Sequence, residues 1–133
     1  MAKMNDFSGS RFVSGDWENG FGLQFIVADD GSVSATFSFD ANKEGPVGLA
    51  HGGALAAVID EAITVASFVN NRGGLTANLH LDFKAPVPLH TQVTAIGRID
   101  KIDRRKTFLS AELRLTDGTL AVMATGLFIS PSD

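Results

Sequence analysis

At 133 residues, 44% hydrophobic and 20% charged, the chain has the size and composition of one folded domain with a single core. A net charge of −4 provides no global basic field, which argues against a nucleic-acid partner, and the lack of cysteine excludes disulfides, cysteine nucleophiles and thiolate metal sites. The segment Met1 to Asp6 has no apolar signal core and the longest apolar run, Ala54 to Ile59, is too short to span a bilayer, so a soluble, cytoplasmic protein with no membrane association is expected.

Residues 1–20 mix Gly and Ser with Phe7, Phe12 and Trp17 and read as a lead-in segment that covers the core. Two strands are expected near 21–28 and 32–40, joined by the hairpin-type turn Asp29-Asp30-Gly31. In the second, Val33, Ala35, Phe37 and Phe39 alternate with Ser34, Thr36, Ser38 and Asp40, the period-two pattern of a strand with one buried face. Residues 41–50 form a loop carrying Gly45-Pro46 and Gly48. A helix follows at about 52–70 and ends at Asn70-Asn71-Arg72-Gly73-Gly74. Its apolar residues, Leu55, Val58, Ile59, Ile63, Val65 and Phe68 among them, go nearly all the way round, so the helix is buried. Strands at about 75–85, 91–103, 106–116 and 119–129 complete the chain, with Pro86-Val87-Pro88 ending the first of them and Asp117-Gly118 forming the last tight turn. One buried helix with five or six antiparallel strands predicts an α+β architecture, the sheet wrapped around the helix.

Chemistry concentrates at the start of that helix. Two glycines after His51 leave bare backbone N–H groups where the helix dipole favours negative charge, and Asp60 sits in the middle of an apolar helix, where desolvation demands a partner. The first feature suits an oxyanion and the second suits a base or nucleophile. Glu61, about 100° further round the helix, is expected to face a polar edge. Along residues 75–84, Leu75, Ala77, Leu79, Leu81 and Phe83 alternate with Thr76, Asn78, His80, Asp82 and Lys84. That row describes either a half-solvated strand or the lining of a site. The turn Arg104-Arg105-Lys106, with Lys101 before it, gathers basic charge that suits a phosphorylated ligand. His80 and His90 belong to strand and turn, and three dispersed histidines without cysteine do not make a zinc site. His51 and Asp60, nine residues apart, lie roughly 12–14 Å from each other along one helix, too far for one catalytic centre. Either only one end is functional, or the two ends meet across a twofold subunit boundary.

His51-Gly52-Gly53 with Asp60 nine positions after the histidine, then Thr76-Ala77-Asn78-Leu79, Phe83-Lys84-Ala85-Pro86-Val87-Pro88 and Asp117-Gly118 before a last strand, together resemble the hotdog-fold acyl-CoA thioesterases over roughly residues 45–129. The likeness is to the phenylacetate-pathway and 4-hydroxybenzoyl-CoA enzymes, and closest to the mammalian long-chain acyl-CoA thioesterases, which share the Thr-Ala-Asn-Leu strand. It implies a homodimer with a continuous sheet and two composite sites, often paired into tetramers, acting on acyl-CoA without metal or organic cofactor. It implies Asp60 as general base or nucleophile and Thr76 as the hydroxyl that orients water or the carboxylate. The Gly52 N–H would polarise the thioester carbonyl, with His51 and Gly53 beside it. Lys84, Arg104, Arg105 and Lys106 fall at or beside positions that bind CoA. Asp82 stands where the mammalian relatives have Asn, and Gly45 replaces a loop asparagine that some relatives place six residues before the histidine. Two other functions fit the fold: a non-catalytic acyl-CoA-binding or sensor module, and a hotdog dehydratase. Sensors usually carry a DNA-binding domain for which 133 residues leave no room, and no hydratase-type motif is present.

Overall fold

The computed structural model describes Lys3–Met4, Val13 and residues 20–131. Phe7, Phe12 and Trp17, expected to cover the core, lie outside the described residues. The elements are β1 (Lys3–Met4), β2 (Ile26–Val27), β3 (Val33–Ser38), a 3₁₀ turn (Ala41–Lys43), α1 (Gly52–Val69), β4 (Leu75–Phe83), β5 (Gln92–Asp103), β6 (Lys106–Leu115) and β7 (Leu120–Ile129). Every pairing is antiparallel and the strand order is β1-β2-β3-β5-β6-β7-β4, with α1 lying chiefly across β5 and β6. This is the expected α+β architecture, with a two-residue β1 added at one edge and the nine-residue β4 forming the other.

The strand expected at 21–28 shrinks to Ile26–Val27. Leu23 and Phe25 are buried, so the alternation is real. Gly22 holds φ +66, however, and the Phe21 N–H donates to the Val13 carbonyl at 2.6 Å, so this stretch buries side chains without joining a ladder. By length and mean hydropathy (1.5 over 18 residues) α1 has enough apolar chain to cross a membrane, a property that the short run Ala54–Ile59 did not suggest. Half of that stretch is buried inside the protein, because α1 forms the core of this sheet.

Close approach of helix and sheet depends on small residues. Gly97, Ala111 and Ala124 form a buried cross-strand row, and Gly97 lies directly against Ala62 of α1. A Cβ built on Gly97 would stand 2.4 Å from the Ala62 carbonyl oxygen, and backbone cannot yield there as a flexible side chain would. Gly97→Ala is therefore expected to destabilise the fold by about 1–3 kcal/mol or more. The measurement is urea unfolding, with a lower midpoint at unchanged m-value. An unchanged midpoint would mean that the helix lifts off the strand without penalty.

The expected alternation along β4 breaks at one residue. Leu75 and Thr76 oppose Ile129 and Phe128, but Asn78 already opposes Leu127, so Ala77 is the extra residue of a β-bulge. Past the bulge, Leu79, Leu81 and Phe83 oppose Gly126, Ala124 and Val122, the helix-facing row of β7. Thr76 opposes Phe128 of that same row. Regular alternation would have put Thr76 with Asn78, His80 and Asp82 on the far face. The bulge turns it toward α1 instead.

Candidate active site

His51 is the N-cap of α1, with extended backbone (φ −65°, ψ 139°) and its Nδ1 accepting from the Gly53 N–H at 2.8 Å. An accepting Nδ1 carries no proton, so the neutral ring keeps its N–H at Nε2. The His51 N–H donates to the Lys43 carbonyl (2.8 Å), and the Ala54 N–H donates to the His51 carbonyl (2.9 Å). Of the four N–H groups that a helix start leaves open, only that of Gly52 has no acceptor among the described residues. A Cβ on Gly52 would meet nothing closer than the Phe83 ring at 4.0 Å, and the residue lines a cavity at the helix start. Gly45 packs against this cap so tightly that a Cβ there would come within 2.8 Å of the His51 Cα. No larger residue fits that loop as it stands, which is the physical setting of the glycine found in place of asparagine.

Asp60 lies two turns further along and takes a hydrogen bond at its Oδ1 from the Thr76 hydroxyl, at 3.0 Å. This contact exists because the Ala77 bulge turns Thr76 inward. The expected burial of the two neighbouring carboxylates is reversed. Asp60 is only half-buried, whereas Glu61, expected at a polar edge, is 4% exposed. Packing closes over the Glu61 side of the helix and leaves Asp60 beside Thr76 of β4, only half-buried.

Two cavities flank these groups. One of about 510 Å3 is lined by Leu75, Thr76, Ala77, Arg105, Ile129 and Pro131. Another of about 330 Å3 lies at the helix start, lined by Leu49, Gly52, Leu55, Phe83, Lys84 and Val87. Asp103, Arg104, Arg105 and Lys106 line a third of about 280 Å3. Within one chain, therefore, Thr76, Asp60 and Arg105 gather toward the first end of β4, and His51, Gly52, Gly53 and Lys84 toward its last end. Asp82 joins neither group. It projects from the face of β4 away from α1, 3.3 Å from His80 Nε2. Alternation puts Leu75 and Phe83 on the apolar side of the strand, yet they are 79% and 56% exposed. Leu75, before the bulge, stands on the face away from α1, and Phe83 sits at the open margin of the edge strand; each lines a cavity, and nothing local in the β4 pattern marks the bulge or the edge.

The sequence profile of the thioesterase superfamily matches residues 47–122. Acyl-coenzyme A thioesterase THEM4 of Bos taurus is 37% identical over 128 residues, covering 92% of this chain and 52% of that protein. The chain spans about half the length of the curated relatives it matches. A crystal structure described as a thioesterase superfamily protein superposes with a TM-score of 0.86 at 28% identity, covering 91% of this chain and 60% of that one. The PaaI protein of the E. coli phenylacetic acid degradation operon shares the fold, with a TM-score of 0.77 at 18% identity and 86% of each chain covered.

Proposed function

The chain belongs to the thioesterase superfamily, and from that premise we propose that it hydrolyses acyl-CoA thioesters to a free acid and CoA. The hydrogen bond from Thr76 to Asp60, at the rim of an apolar cavity, carries the assignment. Asp60 takes a proton from water as its oxygen bonds to the thioester carbonyl carbon. Charge on the carbonyl oxygen is stabilised by the Gly52 N–H at the positive end of the helix dipole. The C–S bond then breaks, and the CoA thiolate leaves with the proton. Attack by the Asp60 carboxylate itself, through an anhydride, is the alternative route to the same products. Lys84 and the Arg104-Arg105-Lys106 turn would hold the phosphates of CoA.

The separation of the two groups along α1 supports a site shared between two copies. β4, paired with β7 on one side, has no second neighbour among the described strands, and its nine residues offer an edge to a second strand. Antiparallel pairing of two β4 strands about a point near Leu79 would set Thr76 of one copy beside Phe83 of the other. Asp60 of the first would then stand near Gly52 of the second. The composite site and the homodimer are one proposal, because roughly 12 Å of helix otherwise separates base from oxyanion donor.

Release of free thiol from a panel of short, long and aryl CoA esters, read with a thiol dye, tests the activity. An enoyl product without thiol would point to a dehydratase, and binding without turnover to a carrier or sensor. Thr76→Ala is expected to lower kcat less than loss of the Asp60 carboxylate does, since it removes the orienting hydroxyl and leaves the base. A larger loss from Thr76→Ala would reverse the two roles.

A further inference from the structure

Arg72, in the loop between α1 and β4, has no part in the chemistry above, yet its guanidinium joins two separate segments. Nε donates to the Thr107 hydroxyl at 3.0 Å and Nη2 to the Arg104 carbonyl at 2.6 Å. Thr107 is completely buried, and Arg104 holds φ +57°, a conformation that a non-glycine residue rarely keeps without support. Arg72 is anchored in turn: its N–H donates to the Ser67 carbonyl at 2.8 Å, and the Ser67 hydroxyl donates to the Arg72 carbonyl. The next residue of the turn is tied as well. Arg105 Nε donates to the Ser130 carbonyl (2.8 Å), the Ser130 N–H donates to the Arg105 carbonyl (2.8 Å), and the Ser130 hydroxyl donates to the Gly73 carbonyl (2.7 Å). The end of α1, the β5–β6 turn and the end of β7 thus form one network, and it presents Arg105 to the cavity that Thr76 lines.

We propose that Arg72 is a positioning residue for the acyl-CoA substrate: its fork on Arg104 and Thr107 fixes the basic turn so that Arg105 meets the anionic part of CoA already ordered. This rests on the acyl-CoA reading above. Arg72 is half-buried with two donors committed to protein acceptors, so its effect passes through the turn. A planar guanidinium reaches both acceptors at once, and an ammonium does not. Without the fork, binding must order the turn, and that cost falls on affinity and leaves the chemical step untouched.

The test is a double-mutant cycle on the full chain, with steady-state kinetics on an acyl-CoA that the wild type turns over and calorimetric titration with free CoA. Arg72→Met should raise KM and the CoA dissociation constant about three- to tenfold with kcat unchanged. Arg72→Lys should give a smaller rise, of at least twofold. In the Arg105→Ala background, Arg72→Met should add less than a further twofold, because the group it positions is gone. Full additivity, an unchanged KM, or a fall in kcat matching the rise in KM would overturn the proposal. If Arg105→Ala raises KM and Arg72→Met does not, the basic turn binds CoA and Arg72 does not position it. If Arg105→Ala itself changes nothing, the turn is not a CoA contact and the proposal falls with that reading. Should Arg72→Met fail to fold through loss of the partner of buried Thr107, Arg72→Lys decides alone: a rise of twofold or more supports the proposal, and no rise overturns it.

Discussion

Asp60→Asn should lower kcat for acyl-CoA hydrolysis by about 10²–10⁴-fold, the usual contribution of a positioned base. The substitution is nearly isosteric. Asp60 is half-buried, and the amide oxygen of asparagine can still accept from the Thr76 hydroxyl, so the local geometry survives. What is lost is the ability to take a proton or to attack. The melting temperature should stay close to wild type, and that separates a catalytic loss from a folding loss. The measurement is thiol release by the purified variant against wild type, paired with thermal unfolding. Wild-type turnover would remove Asp60 from the chemistry. Mass spectrometry of the wild-type enzyme after turnover in 18O water separates the two routes, because label in Asp60 would mark attack by the carboxylate itself.

The second large effect tests the shared site. Gly52→Pro removes the one first-turn N–H without an acceptor among the described residues, at a position where proline is well tolerated. His51 before it already has the extended backbone that proline requires, and the nearest atom to a Cβ is 4.0 Å away. The variant should fold and lose about 10²–10³ in kcat, as oxyanion donors do elsewhere. Gly52→Pro and Asp60→Asn homodimers should both be nearly inactive. When chains exchange, each heterodimer would hold one site with both groups intact and one with both lesions. Random exchange makes half of the dimers mixed, so total activity should return to about one quarter of wild type. Exchange is followed by native mass spectrometry of differently tagged chains. Exchange without recovered activity would show that Gly52 and Asp60 do not serve one site.

The helix, the longer strands and the spacing of the catalytic candidates were legible in the sequence because they rest on local rules. Alternation and tight turns mark β3 and β5–β7, and apolar periodicity, the His-Gly-Gly cap and the terminal glycines mark α1. The positions of Asp60, Thr76 and Gly52 along the chain needed no structure. Their directions did. Periodicity assigns no phase to a helix that is apolar on nearly all sides, so only the tertiary fold decides that Glu61 is buried and Asp60 is half-exposed. Alternation places Thr76 with Asn78 and His80; the register with β7, some fifty residues away, inserts the bulge at Ala77 and turns its hydroxyl to Asp60. Nothing within β4 says that it is an edge, because that depends on which strands pair elsewhere. Arg72 reads in sequence as the end of a helix, and only the tertiary fold brings it to Arg104 and Thr107. Sequence determined which groups this protein has and how far apart they lie along the chain. Non-local pairing decided which of them meet, since contact between distant segments is set by the packing of the whole sheet and by no residue's neighbours in sequence.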